Sequence, residues 1–199
     1  MDPIRFFDVL FALVGFIVLF PIFLIIALFV KVGSKGPIFF KQKRIGQYGK
    51  EFGLYKFRSM YVNAEAKGQL TVGGKDSRIN PVGYILRKYK LDELPQLINV
   101  LVGEMSLVGP RPEVKKYVDL YTEEQLQVLK VLPGITDYAS LEYRNENELL
   151  SNASNPEEYY ILEIMPKKIE LNYRYINDRS FKRYFSILFQ TVWTAIKGK

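Results

Sequence analysis

The chain has 199 residues, 48% apolar and 25% charged, a balance that supports a packed core and excludes wholesale disorder. Its length suits one globular domain plus a membrane anchor, and its formal charge of +7 favours an anionic partner: phosphates, nucleic acid or an acidic membrane face. It has no His and no Cys, which excludes Ser-His-Asp and Cys-His nucleophiles, the usual zinc sites and disulfides; catalysis is left to carboxylates, hydroxyls, Lys, Tyr or Arg, and any metal to oxygen ligands, Mg first.

Val9 to Val30 reads VLFALVGFIVLFPIFLIIALFV and carries no charge. A straight helix of this length covers ~33 Å, enough for a bilayer core. It is too long for the apolar region of a signal peptide, and no small-residue cleavage site follows it. Pro21, near its middle, removes one helical hydrogen bond and predicts a kink. Two shapes satisfy the pattern: a kinked helix that crosses the membrane, and a re-entrant hairpin that returns to the face it entered. Arg5 precedes the segment, and Lys31, Lys35, Lys41, Lys43 and Arg44 follow it. Positive charge on both flanks favours the re-entrant shape. Arg5 and Asp8, three residues apart, are spaced to pair.

Residues 37–57, PIFFKQKRIGQYGKEFGLYKF, hold two apolar-aromatic runs around a turn at Gly46–Gly49 and predict a β-hairpin. Met60–Lys67 has a helical pattern, and Gly68–Ser77 predicts a loop. Gly68 and Gly73 have the spacing of a phosphate-binding loop. Gly74 intervenes before Lys75, however, and Asp76 stands where Ser or Thr is required, so a Walker-type site is rejected. Asn80-Pro81 predicts a capped helix start, the helix running to about Tyr89. In KLDELPQLINVL, Asp92, Glu93 and Pro95 suit a first helical turn, with Leu94, Leu97, Ile98 and Leu101 on the buried side and Gly103 as the stop. Met105–Val108 is apolar, and Gly109-Pro110-Arg111-Pro112 forces a rigid, non-helical loop. Glu113–Leu132 carries a long helical pattern ended by Pro133-Gly134, and Asn145–Glu158 predicts surface loop and short helix. Near the end, Phe181, Tyr184, Phe185, Leu188, Phe189, Val192 and Ile196 recur at helical spacing. That stripe fits a helix lying on the membrane and equally one packed on the core.

Asp92 and Glu93 are adjacent acids at a predicted helix start. The simplest role for such acids is to cap the helix and complement its dipole. Arg44, Arg58, Arg78, Arg87 and Arg111 change that balance, because acids, Mg and several arginines together are what phosphoryl transfer requires. An ionised Asp is already a nucleophile and a phosphate acceptor is already ionised, so a chain without histidine is adequate for this chemistry.

These segments together resemble the bacterial sugar transferase family, the monotopic phosphoglycosyl transferases, over nearly the whole chain. The likeness rests on the apolar segment with Pro21, PIFFKQKRIG (37–46), YKFRSM (55–60), LDELPQLINVLVGEMSLVGPRPE (91–113) and PGIT (133–136). The 91–113 block is specific enough to assign the family by itself. The resemblance implies a mostly helical α+β fold. Residues 1–33 would form a re-entrant membrane helix-hairpin, and residues 34–199 a compact cytoplasmic catalytic domain with a small β-hairpin and interfacial amphipathic helices. It implies an Mg-dependent enzyme that transfers a sugar 1-phosphate from a UDP-sugar to polyprenyl (undecaprenyl) phosphate. UMP is released, and surface glycan synthesis starts at the cytoplasmic face of the bacterial inner membrane. Asp92 matches the family nucleophile, which forms an aspartyl intermediate. Glu93 completes an acidic pair that assists Mg binding or acid-base steps, so both acids are implied metal ligands. Arg111 matches the phosphate-binding arginine; Lys56, Arg58 and Arg87 match basic positions near the nucleotide; Arg144 aligns with a common family arginine. Membrane lipid is an implied partner, a homodimer is allowed, and nucleic acid is not expected.

Two departures stand out. Members often continue PGIT with Gly-Trp-Ala-Gln, where this chain has Asp137-Tyr138-Ala139-Ser140, and many carry an Asp where this chain has Tyr184. A reading from a different class is a non-catalytic, membrane-tethered module that binds nucleic acid or lipid through its basic face. The charge and the 14 Tyr and 14 Phe permit it, whereas the intact acid pair and the GPRP block argue against it. The sequence does not separate a plain hexose 1-phosphate from an N-acetylated one; a panel of UDP-sugars does.

Overall fold

A computed structural model of the chain describes residues 3–64, 68, 70–72 and 76–197. Its first element, α1 (Pro3–Gly33), is one uninterrupted helix that contains Pro21 and is long and apolar enough to cross a membrane. One stripe of α1 faces the rest of the protein from end to end. Ile4, Asp8 and Ala12 are buried near its start, Gly15 lies against Leu97, and Phe23, Ile26 and Val30 are buried near its end. Steps of three and four residues keep such a stripe on one helical face. The remaining faces are bare, with Phe6, Leu13, Ile17, Val18, Leu24 and Leu28 among the exposed apolar side chains.

Charged side chains fasten both ends of α1. Arg5 donates to the carbonyls of Leu101 (3.3 Å) and Met105 (3.2 Å). The buried Asp8 Oδ1 accepts from the Ser106 hydroxyl (3.0 Å), the Leu107 N–H (2.8 Å) and the Tyr184 hydroxyl (2.8 Å). Arg5 and Asp8 each turn to these partners, so their spacing does not produce the expected ion pair. At the other end, Arg58 Nη2 donates to the carbonyls of Val30 (3.0 Å) and Ser34 (2.7 Å), acceptors that a helix terminus leaves open.

β1 (Phe39–Ile45) and β2 (Glu51–Phe57) form the expected antiparallel hairpin, Phe39 opposite Phe57 and Ile45 opposite Glu51. The expected helix over 60–67 does not form among its described residues. Met60 makes an isolated bridge to Ile79, which holds the chain extended, and Asn63 has a left-handed φ of 66°. Residues 65–67, and Gly73, Gly74 and Lys75 of the following loop, lie outside the described residues. α2 (Pro81–Lys88) starts as expected: Asn80 Oδ1 accepts from the Gly83 N–H at 2.7 Å, a cap worth ~1 kcal/mol.

The KLDELPQLINVL segment splits into a 3-10 turn, Leu91–Glu93, and α3 (Gln96–Val102), which Gly103 ends at a φ of 93°. Its fully buried residues are Gln96, Asn99 and Val100, not the expected leucine face. The reason is that α3 is wedged between two partners. The Asn99 amide binds β2, accepting from the Tyr55 N–H (3.0 Å) and donating to the Gly53 carbonyl (2.9 Å), while Leu97 and Leu101 are half-buried on the side of α1. β3 (Ser106–Val108) then pairs in parallel with β4 (Gly134–Thr136), Ser106 opposite Gly134. The two backbones meet so closely that a Cβ on Gly134 would overlap the main chain of Gly109, and one on Gly109 would overlap the Leu132 carbonyl.

The expected long helix over 113–132 is broken into α4 (Lys115–Val118) and a 3-10 stretch, Gln125–Lys130. Thr122 and Gln125 exchange side-chain-to-backbone hydrogen bonds, a capping box that starts a new helix and so interrupts the old one. α5 (Tyr138–Glu142), α6 (Glu146–Ser151) and α7 (Pro156–Tyr159) follow. A π turn, Tyr160–Ile164, leads into α8 (Met165–Ile176), and α9 (Phe181–Lys197) closes the fold. α9 packs one side on the core and leaves an apolar side exposed. Tyr184 and Ile187 sit in the core with Ile4, Val100 and Met105, whereas Phe185, Phe189, Val192 and Trp193 are exposed. Phe7 of α1 meets Phe181 and Phe185 edge-on, at 5.9 and 5.3 Å between ring centres, so the exposed apolar faces of α1 and α9 are contiguous.

Candidate active site

After α2, Lys90 adopts φ 57° and ψ 20°, a left-handed conformation that costs a non-glycine residue ~1 kcal/mol. It turns the chain into the 3-10 turn that carries the two acids. With about three residues per turn, neighbouring side chains diverge by roughly 120°. Asp92 is only 3% exposed, and among the described residues it makes no ion pair. Glu93 is gripped by two cations from different elements. Lys56, near the end of β2, brings Nζ to 3.3 Å from Oε1. Arg111, in the loop after β3, donates Nη1 to Oε2 at 3.1 Å and Nη2 to Oε1, a forked pair.

Pro110 and Pro112 flank Arg111 and fix the backbone on either side of it. The Arg111 N–H donates to Oδ2 of Asp137 at 3.1 Å, and the other oxygen of this fully buried acid accepts from the Ser140 N–H at 2.5 Å as the cap of α5. The loop is therefore tied to β4 and α5 through Asp137, a residue singled out in the sequence only as a departure from a family pattern. The Asp-x-x-Ser spacing before a helix was the signal that could have found it.

The two acids are driven apart electrostatically. Burial, then the neighbouring Glu93 charge, raises the Asp92 carboxyl above the usual range; Lys56, Arg87 and Lys90 pull the other way. Burial would also raise Glu93, but the charges of Arg111 and Lys56 overcome it and hold that carboxyl well below its usual value. Burial lowers the Lys56 amine to about 8 against the attraction of Glu93. Glu93, in turn, is the main cause that raises Arg111 above its already high value, so that side chain stays cationic. The Glu93 carboxylate is thus held in its ionised form and screened, and Asp92 is the more basic of the two, which suits a nucleophile.

The structure brings Asp92, Glu93, Lys56 and Arg111 together. Arg87, in the last turn of α2, lies close enough for its charge to act on Asp92, and its Nη2 donates to the Thr71 hydroxyl at 3.0 Å. Arg58 is 5% exposed and its guanidinium is turned to the end of α1. Arg78 is ion-paired with Asp76 and donates to the carbonyls of Gly68 and Leu70. Arg144 is exposed in the turn after α5.

A sequence model described as bacterial sugar transferase matches residues 3–198. The chain belongs to the bacterial sugar transferase family. It is 41% identical over 171 residues, 86% of its length and 75% of the relative's, to an "Uncharacterized sugar transferase EpsL" of Bacillus subtilis. It is 35% identical over 194 residues to the UDP-N-acetylgalactosamine-undecaprenyl-phosphate N-acetylgalactosaminephosphotransferase of Aeromonas hydrophila. It is 37% identical over 196 residues to the UDP-glucose:undecaprenyl-phosphate glucose-1-phosphate transferase of Escherichia coli. The last two matches cover 96% of this chain but only 43% and 40% of those relatives, so the chain spans less than half of their length. Within this bacterial sugar transferase the two sequence departures acquire physical roles. Asp137 holds the Arg111 loop, and Tyr184 supplies a hydroxyl to Asp8 across the join of α1, β3 and α9.

Proposed function

We propose that this bacterial sugar transferase moves a sugar 1-phosphate from a UDP-sugar to undecaprenyl phosphate, the chemistry named in its Aeromonas and Escherichia relatives, and so starts a surface glycan. The observation that carries the reading is the buried, basic Asp92 beside a Glu93 clamped by Lys56 and Arg111. The Asp92 carboxylate attacks the β-phosphorus of the donor. The bond from that phosphorus to the bridging oxygen breaks, and UMP leaves with the electron pair. An oxygen of the acceptor phosphate then attacks the aspartyl-bound phosphorus, which frees Asp92 and gives the polyprenyl-diphosphate-sugar. Arg111 takes charge from the β-phosphate oxygens in both steps. UMP release from a panel of UDP-sugars, with undecaprenyl phosphate and Mg, tests the proposal and names the sugar. No release with any donor would favour the non-catalytic module.

The acids fit Mg only in part. Among the described residues no group of three or more acidic side chains is poised for a metal. Two carboxylates plus the oxygens of a donor diphosphate make a normal Mg environment, so Asp92 and Glu93 would hold the ion with the substrate bound. Bound there, Mg would screen the repulsion between carboxylate and phosphate. Lys56 does part of that work itself while it is protonated. Above pH ~8 its charge, and with it one of the two cations on Glu93, is lost. The pH profile of kcat/KM should therefore fall along a basic limb near 8, and Lys56→Arg should move that limb upward; a flat profile through pH 9.5 would remove Lys56 from the site chemistry.

We also infer that α1 enters the membrane from one face without crossing it. Both its ends are fastened to the same folded body, and its stripe packs on that body along the whole helix. A crossing helix would have to drag the charged hairpin into lipid. The contiguous apolar faces of α1 and α9 far exceed a scatter of surface residues and suit embedding in one leaflet, on the cytoplasmic side where donor and UMP are found. Cysteines placed at Asp2 and Lys35 should both react with a membrane-impermeant reagent in inside-out vesicles and neither in intact spheroplasts; opposite labelling of the two would mean a spanning helix.

A further inference from the structure

We propose that Tyr160 is a positioning residue for Arg111, acting through Glu113 and the loop that both residues share. The inference rests on Arg111 gripping the donor phosphate. Pro110 and Pro112 stiffen the loop, so its anchors decide where Arg111 points. Asp137 is one anchor, and the others lie just past Arg111. Arg44 Nη1 donates to the Pro112 carbonyl at 3.0 Å, and the Ile45 N–H donates to the Glu113 carbonyl at 2.8 Å. The Glu113 carboxylate sits 3.6 Å from the same Arg44 Nη1 and accepts from the Tyr160 hydroxyl at 2.6 Å. Gln42 holds the rest of the Arg44 guanidinium, through Oε1 at 2.8 and 3.2 Å.

Tyr160 is almost fully buried, its ring 4.9 Å from that of Tyr117 and under the Lys168 ammonium at 5.4 Å. It opens the π turn Tyr160–Ile164. A π turn inserts a residue into a helix at a cost in stability and re-aims the side chains around it, and such turns cluster at functional sites. Here the first residue of the turn is the one whose hydroxyl reaches Glu113, 47 positions away in sequence. Without its hydroxyl, the half-buried Glu113 carboxylate loses a donor and draws Arg44 away from the Pro112 carbonyl. The loop then shifts, and Arg111 with it. Small displacements of a phosphate-gripping group are expensive, since ~1 Å can cost ~100-fold in rate.

The test is a double-mutant cycle read by UMP release, with thermal melting as the check on folding. Tyr160→Phe should lower kcat/KM for the donor roughly 5- to 20-fold, mostly in kcat. In an Arg111→Ala background the same change should cost less than about 2-fold, because the group it positions is gone. Glu113→Ala breaks the link from the other side and should show the same loss of effect, which keeps the test open if Tyr160→Phe folds poorly. An equal penalty in both backgrounds, or none in the wild-type background, overturns the inference while leaving the functional reading intact. Full activity in Arg111→Ala alone would overturn the arginine's assigned role and this inference with it.

Discussion

Asp92→Asn should lower UMP release by ~10³-fold or more and abolish any covalent intermediate, because an amide cannot attack the donor phosphorus. The protein should remain folded. Asp92 makes no ion pair among the described residues, and burial and the Glu93 charge both disfavour its ionised form. Its replacement by a neutral isostere should leave the melting temperature unchanged or slightly higher. That separation matters, since a collapse of both activity and stability would say only that the turn had been damaged. Retained UMP release by a folded Asp92→Asn protein removes Asp92 as the nucleophile. Glu93 is a poor substitute, because its carboxylate is tied up by Arg111 and Lys56 and held far on the ionised, weakly basic side.

Arg111→Ala should reduce kcat/KM about 100-fold. One charge-assisted contact is worth ~1.5–3 kcal/mol, and loss of a single donor to a developing phosphate or oxyanion charge falls in the ~10²–10³-fold range. A second effect adds to this. Arg111 is the strongest of the charges that keep Glu93 ionised, so its removal lets the Glu93 carboxyl rise. The acidic limb of the pH profile should therefore move upward in the variant. Arg111→Lys should recover only part of the loss, since an ammonium cannot reproduce the forked contact with both oxygens of Glu93. Near-normal kinetics for Arg111→Ala, measured from UMP release at saturating acceptor, would remove the arginine from the reaction.

The parts of the fold and of the site that were legible in the sequence are those written in local chemistry. The hairpin at Phe39–Phe57 follows from two apolar runs about a Gly-rich turn, and the start of α2 from Asn80-Pro81. The rigid loop around Arg111 follows from its two prolines. The acid pair and its basic partners Lys56 and Arg111 were recognisable from residue type and motif. The rest depends on contacts between distant segments. β3 and β4 are three residues each, too short to show a period, and their parallel pairing needs Gly109 and Gly134 to approach backbone to backbone. The family resemblance implied that Arg58, like Lys56, lies near the nucleotide. Two positions apart on a strand, they would share a face, but β2 ends at Phe57 and Arg58 turns to the end of α1. The apolar pattern over 113–132 was real, yet the Thr122–Gln125 capping box outweighed it. Tyr160 carried no local signal, and the Asp-x-x-Ser pattern at Asp137 marks a helix start without pointing to Arg111; only the fold brings both residues to the Arg111 loop.

The central claim is a covalent sugar-phosphate on Asp92, and intact mass spectrometry of the full chain tests it most directly. Incubated with its UDP-sugar donor and Mg but no acceptor, the wild-type protein should gain the mass of one sugar-phosphate, carried on the peptide that holds Asp92. Asp92→Asn should gain none, and adding undecaprenyl phosphate should discharge the adduct. Steady UMP release that depends on the acceptor, with no adduct at any time point in the wild type, would contradict the account and point to direct transfer between donor and acceptor.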